Sequence, residues 1–401
     1  MDNATIKAQG EKYIMNTYRR FPFALVRGQG ARVWDADGRE YLDFVSGLAV
    51  NSLGHCHPKV VAAIREQAGK LLHCSNLYWI EPQVELARLL VENSGLDKVF
   101  FCNSGAEANE AAIKLARKYA KARGDSRYEI ITMRKSFHGR TLATVAATGQ
   151  EQFHRGFEPL PEGFCYVPLN DLGALKQAIG PRTCAVMLEP VQGEGGVYVA
   201  EEDYLKAVRA LCDELGLLLI FDEVQCGLGR TGYLFAYQYY GVEPDIMTLA
   251  KALAGGVPIG AMLAKEKVAA AFQPGDHAST FGGNPLATAA GVAAFKLLLE
   301  EDLPRRAREI GAYLRTRLQE LAGKYRQITE VRGRGLLLGL EIDGPADEVA
   351  VACERRGLLI NAIHGHVLRF LPPLIIGREE VDRAVAILDG AMAEVFGNNA
   401  Y

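Results

Sequence analysis

The sequence predicts an α/β protein: a large, mostly parallel sheet covered by helices on both faces, joined to a smaller α+β domain. Three observations carry that expectation. At 401 residues the chain exceeds what one hydrophobic core usually supports, so two domains sharing an interface are expected. From about residue 97, apolar strand-like runs alternate with helical ones, the pattern of parallel strands joined by crossover helices. Beyond Pro285 the character changes to long amphipathic segments with few strands between them.

Taken in order, residues 1–45 read as an appendage whose Asp37-Gly38 turn, between alternating apolar positions, predicts a hairpin. His55-Cys56-His57 invites a metal reading, but adjacent positions rarely aim several ligands at one ion. Pro58 followed by Val60, Val61, Ile64 and Ala68 predicts a helix start there instead, and no metal is expected. Strands are expected at 99–102, 129–133, 184–188, 217–221, 246–249 and 259–263, with helices at 107–120 and 204–215, the second closed by Gly216. An Ala-rich helix from Pro285 to about Glu301 leads out of a large domain spanning 46–284. In the remainder, 285–401, helices are expected at 303–321 and along Val381, Val385, Leu388, Met392 and Val395, with a strand at 335–340.

Composition narrows the partners. Forty-five Lys and Arg against forty-eight Asp and Glu give a net charge of −3, with both signs scattered and no basic block to track a nucleic acid or an anionic membrane. No apolar run approaches the roughly 18 residues a membrane span needs. Eight cysteines without a CxxC pair fit reduced thiols. A cytoplasmic protein acting on small molecules is the expectation.

The chemistry is concentrated in a few places. Lys251 follows an apolar run and precedes small residues and glycines, where an apolar pocket would lower its pKa and favour the neutral amine that condenses with a carbonyl. Asp222 closes an apolar strand upstream, placed to hold a pyridine nitrogen protonated so that the ring accepts electron density. Together they suggest pyridoxal phosphate chemistry. Two other readings of the Asp222-Glu223 strand end fail. A nucleotide hydrolase needs a GxxxxGKS/T loop, which is absent. The GxGxxG match at Gly227–Gly232 would set two carboxylates beside a pyrophosphate, with too short a segment after it for a crossover helix. Gln225 is placed to reach the ring's phenolic oxygen.

Ser104, Gly105 and Ala106 lie between a strand and a helix, where free N–H groups favour a phosphate. Phe137 can stack on a ring and Arg140 can grip a carboxylate with two hydrogen bonds. Glu194 lies in a glycine loop after a strand, Ser279 and Thr280 precede a helix, and Arg369 sits in a strand of the C-terminal part. Each has a duller reading when taken singly: an N-cap, a structural ion pair, a solvated loop.

The motifs NSGAEA, FHGRT, EPVQGEGG, DEVQCGLGRTG, the lysine of LAKALAGG and STFGGNPLA occur in one order, and with them the chain resembles the class III pyridoxal-phosphate aminotransferases over nearly its whole length. The resemblance implies a fold type I homodimer with shared active sites and a small domain built from both chain ends. It implies that Lys251 bonds the cofactor's aldehyde and later moves protons. Asp222 would hold the pyridine nitrogen, Gln225 the phenolic oxygen, Phe137 would stack on the ring, and Glu223 and Val224 would lie beside it. Ser104, Gly105 and Ala106 would form the phosphate cup, joined by Thr280 of the neighbouring subunit. Arg140, Arg369 and Ser279 would bind substrate, with Glu194 neutralising Arg369 when an ω-amine is bound. The implied reaction moves the terminal amine of N2-acetylornithine to 2-oxoglutarate, giving N-acetylglutamate 5-semialdehyde and glutamate. Succinylornithine, succinyl-diaminopimelate, ornithine, 4-aminobutyrate and acetyl-lysine are alternative amine donors, and an aminomutase is a rival reaction.

Overall fold

Residues 1–397 are described by a computed structural model. The element that positions everything else is a seven-stranded sheet. In spatial order its strands are Lys98–Cys102, Gly260–Ala264, Ile246–Leu249, Leu218–Asp222, Thr183–Leu188, Glu129–Met133 and Phe164–Val167. Gly260–Ala264 runs antiparallel to both of its neighbours, and the other pairings are parallel.

Every residue of Thr183–Leu188 and of Leu218–Asp222 is buried, which is why these strands read as unbroken apolar runs. The pleat then sorts their side chains onto two faces. Leu218 and Ile220 join the cluster under the helix Gly105–Ala122, with Ala111, Ile113 and Leu115. Leu219 and Phe221 join the larger cluster on the other face, which the helix Pro285–Glu300 enters through Ala287, Ala290 and Ala294. Each such Leu, Ile or Phe contributes roughly 1.5–3 kcal/mol by leaving water.

The C-terminal part adds an antiparallel sheet ordered Ile328–Arg334, Leu337–Ile342, Val367–Phe370 and Asn361–Ile363. The N-terminal strands Leu25–Gln29, Arg32–Asp35 and Glu40–Asp43 pair in turn, with Asp37 and Gly38 in the turn between the last two. Glu40–Asp43 then lies parallel to Leu358–Leu359, so the two ends of the chain share one sheet.

The expected strand at 335–340 is displaced by two residues. Gly335 is the turn instead, at φ 56°, where a Cβ would stand 2.6 Å from the Arg230 carbonyl oxygen. The edge strand Phe164–Val167 and the helices Glu81–Glu92 and Ala346–Arg355 were not anticipated.

The glycine loop 227–232 has a structural task. Arg230, at its centre, is fully buried and donates to the Leu336 carbonyl at 3.0 Å, to Ser52 Oγ at 2.9 Å and to the Pro372 carbonyl. One guanidinium thus ties the end of the central sheet to the C-terminal sheet. Replacing Arg230 by Ala should destabilise the protein by about 3 kcal/mol or more, since two buried carbonyls lose their donor and a long side chain leaves a void. Urea unfolding of Arg230→Ala against Arg230→Met checks it, and a midpoint equal to that of the parent protein would show that the tie is dispensable.

Candidate active site

The side chains with chemical potential gather at the carboxyl ends of the parallel strands, where open α/β sheets bind ligands. Asn103 and Ser104 follow Lys98–Cys102, Glu189 follows Thr183–Leu188, Asp222 ends its strand, and Lys251 follows Ile246–Leu249. They line one cavity of about 420 Å³ together with Gly105, Ala106, Asn109, Phe137, His138, Arg140, Glu194, Val224 and Gln225.

Lys251 stands at φ 47°, a left-handed conformation that an L-residue other than Asn or Asp rarely adopts and that costs on the order of 1–3 kcal/mol. Burial pushes its pKa below the ordinary lysine value. The Glu194 carboxylate pulls it back up, while the Arg369 guanidinium lowers it further. The site therefore favours an amine that is free to react.

Asp222 is oriented by a buried network. Its Oδ2 accepts from Asn109 Nδ2 at 2.7 Å and lies 2.8 Å from His138 Nδ1, and its Oδ1 accepts from the Val224 N–H at 3.0 Å. Asn109 is fixed in turn, donating to the His138 carbonyl and accepting from Thr248 Oγ1, both at 2.7 Å. These contacts fix the orientation of the carboxyl group, as a partner for a ring nitrogen requires. Sequence reasoning did not give Asn109 or His138 a role. The only signal was that Asn109 directly follows NSGAEA and His138 lies within FHGRT.

Ser104 caps the helix Gly105–Ala122 by accepting from the Glu107 N–H at 3.2 Å. The hydroxyl proton of Ser104 stays available, as do the first N–H groups of the helix, so the cap and the anion cup are the same structure. Phe137 enters the cavity from a loop whose N–H donates to Glu189 Oε2 at 3.0 Å, and its ring meets Phe153 edge-on at 5.7 Å. Glu189 is a second residue that sequence reasoning left without a role. Burial and the nearby Asp222 charge push its pKa well above the carboxylate range.

Arg369 is fully buried and donates to Glu194 Oε1 at 2.8 Å and to Gln225 Oε1 at 3.0 Å, while Gln225 Nε2 donates to the same Glu194 oxygen at 3.0 Å. Gln225 fits only because residue 193 is glycine, since a Cβ there would lie 1.7 Å from its Oε1. Burial works against the charge of Glu194, but Arg369 and Lys251 outweigh it and hold the pKa at about 2. Arg369 Nη2 is buried with no partner among the described residues. Arg140 differs: it is exposed at the cavity mouth, its guanidinium 4.0 Å from the Phe153 ring centre, and it makes no ion pair with a described residue.

Three of the named residues lie outside this chain's own cavity, as the resemblance implies for Thr280. Glu223 points away from the cavity, its two oxygens accepting from the N–H groups of Ala236 and Tyr237 at 2.6 and 2.8 Å. The cause is the pleat: its neighbour Asp222 faces the ligand, so Glu223 faces the interior. Burial pushes its pKa up to about 8 against the pull of those two donors. Ser279 Oγ accepts from Asn103 Nδ2 at 3.1 Å and from the Gly282 N–H at 2.9 Å, holding the segment before the helix Pro285–Glu300. Thr280 is exposed beside it and does not line this chain's own cavity.

The residues present fit pyridoxal phosphate: an amine, an oriented carboxylate, an anion cup and an aromatic face share a space of suitable size. Fold and cavity thus define a class, that of fold type I enzymes working with this cofactor. Comparison with known proteins carries the assignment one step further. The chain belongs to the aminotransferase class-III family, which it matches over residues 13–392. It is 57% identical over 387 residues to an acetylornithine aminotransferase of Caldanaerobacter subterraneus subsp. tengcongensis, covering 96% of this chain and 98% of that one. Among solved structures it is similar to an ornithine aminotransferase of Toxoplasma gondii with pyridoxal phosphate at partial occupancy in its active site (TM-score 0.93, 39% identity, 97% and 94% covered). It is also similar to an N-acetylornithine aminotransferase of Stenotrophomonas maltophilia (TM-score 0.83, 42% identity, 96% and 98% covered).

Two outcomes follow. Replacing Glu223 by Gln sets an amide N–H against a backbone N–H and should cost about 1–3 kcal/mol of stability. Cofactor stoichiometry should stay unchanged, as spectrophotometric titration would report. Removing the Glu194 charge takes away an attraction that raises the pKa of Lys251, so in Glu194→Gln the amine loses its proton at lower pH. The pH midpoint for capture of pyridoxal phosphate by the apoenzyme should move down, and an upward movement would contradict the assigned electrostatics.

Proposed function

We propose that this chain transfers the terminal amine of N2-acetyl-L-ornithine to 2-oxoglutarate, giving N-acetyl-L-glutamate 5-semialdehyde and L-glutamate. The observation that carries this reading is the pairing of Glu194 with Arg369 beside Lys251 while Arg140 stays open at the mouth. Two substrates must use the site in turn. In glutamate the reacting carbon bears a carboxylate; in acetylornithine it is a CH₂ with none. A guanidinium next to the reacting carbon suits the first and opposes the second, unless a carboxylate covers it. Glu194 covers Arg369 for the amine donor and swings aside for the oxoacid. Arg140 serves the carboxylate at the far end of either molecule.

Pyridoxal phosphate supplies the electrophilic aldehyde and the electron-accepting ring. The chain does the rest. Burial loosens the proton on Lys251 Nζ, which would then hold and move a proton at the reacting carbon. Asp222, steadied by His138 and Asn109, would hold the ring nitrogen. Gln225 would present an amide to the phenolic oxygen, Phe137 would cover a ring face, and Ser104, Gly105 and Ala106 would receive the phosphate.

We also propose a homodimer, located in the cytoplasm. Leu77, Tyr78 and Trp79 are 84%, 68% and 93% exposed, and Phe281 is 61% exposed. They lie on adjoining segments, since Asn76 Nδ2 donates to the Ser279 and Gly282 carbonyls. Such a patch calls for a partner surface. Thr280 stands beside Phe281 and would enter the cavity of a second copy. For location, the eight cysteines are all free, as in a reducing compartment.

The decisive measurement is kcat/KM with 2-oxoglutarate for acetylornithine, succinylornithine, ornithine and 4-aminobutyrate. Acetylornithine should lead; a lead for free ornithine, the substrate named for the Toxoplasma enzyme, would replace this reading. Lys251→Ala should lose transamination and borohydride trapping together. In Glu194→Gln the acetylornithine half-reaction should slow by tenfold or more while the glutamate half-reaction is largely kept.

A further inference from the structure

Outside the active site, one cavity stands apart in its charge. It has a volume of about 480 Å³ and lies between the helix Leu303–Lys324, the turn at Gly333 to Gly335 and residues 231–233. Arg308, Arg315 and Arg334 all line it, and none of the three forms a salt bridge with a described residue. On the same helix, Arg305 and Arg317, which do not line the cavity, pair with Glu309 and Glu320. Arg306, also outside the cavity, spends its donors on the Ile375 and Ile376 carbonyls.

Their placement is built. The Arg334 guanidinium lies 3.3 Å from the ring centre of Tyr239, and that of Arg308 lies 5.4 Å from Tyr233. The two rings meet edge-on at 5.5 Å. Stacking on an aromatic face fixes the plane of a guanidinium and leaves its edge donors for something else. Arg334 Nε is buried with no acceptor among the described residues. Thr231, only 1% exposed, lies in the same wall with its hydroxyl unpartnered. Burial lowers the pKa of Arg315, and the Arg334 charge adds to that effect, so the group is held against an opposing field. Gathering three like charges in one concavity is costly unless an anion offsets them.

We propose that this cavity is a binding site for a compact oxyanion carrying two or more negative charges, either a diphosphate or a tricarboxylate. Guanidinium forks match both by paired hydrogen bonds. Three cations in one concavity suit a multiply charged guest better than a single carboxylate, and the volume excludes a polymer.

The test is calorimetric titration of the cofactor-loaded enzyme, so that the active-site phosphate cup is already filled. Sodium pyrophosphate and sodium citrate are the probes, with sodium chloride holding ionic strength constant. At least one probe should bind saturably, one per chain, and Arg308→Gln should weaken it at least tenfold while leaving transamination without the probe unchanged. Arg334→Gln, if it folds, should do the same, and Arg308, on the exposed rim, keeps the test intact if it does not. Pyrophosphate alone binding assigns the site to phosphoryl groups, and citrate alone assigns it to polycarboxylates. Absence of saturable binding by both, or equal affinity in the parent and Arg308→Gln, overturns the proposal.

Discussion

The structure depends on loosening the proton of a buried amine in a site that also holds acidic side chains. Burial alone lowers the pKa of Lys251, but Glu194, Asp222 and Glu189 all raise it. The balance is kept because each carboxylate is occupied elsewhere. Asp222 is held by Asn109, His138 and the Val224 N–H, Glu194 is engaged by Arg369, and Glu189 accepts from the Phe137 backbone. None is left to form an ion pair with the lysine, which would fix the proton on the nitrogen.

That arrangement is a consequence of the sheet. Parallel strands end together, so the loops after five of them converge on one rim, and a residue close after each strand reaches a common space. Fully buried strands supply the rigidity: Asp222 is the last residue of a strand whose other side chains are locked into two cores. A carboxylate on a mobile loop would lose the orientation its role requires.

Much of this was legible from the residues. Continuous apolar runs such as 184–188 and 217–221 announce buried parallel strands, and Lys251 and Asp222 stand out because charged residues border those runs. Half-buried Phe164–Val167, at the sheet edge, lacks that signature. The placement of Glu223 was hidden for a different reason. Adjacent carboxylates look alike in a sequence, and only the alternation of the pleat, read back from the strand end, separates the one that meets the ligand from the one that caps the segment at Ala236. Asn109 and His138 were illegible because their function is relational: each matters through the distance to Asp222, which no local pattern encodes. Thr280 is the converse case, carried by a resemblance and left by the fold on an exposed surface.

The loop at 227–232 shows how one segment can serve two ends of the molecule. Its first residues follow directly from Asp222 and Gln225, and Gly227 packs so tightly on Glu223 that a Cβ there would lie 2.8 Å from the Glu223 carbonyl oxygen. At its far end Arg230 is anchored to Leu336 and Pro372, and Thr231 and Tyr233 form a wall of the arginine-lined cavity. Interior segments packed this closely move as units, not residue by residue. One short segment thus runs from the strand end at Asp222, through the tie made by Arg230, to a wall of the second cavity.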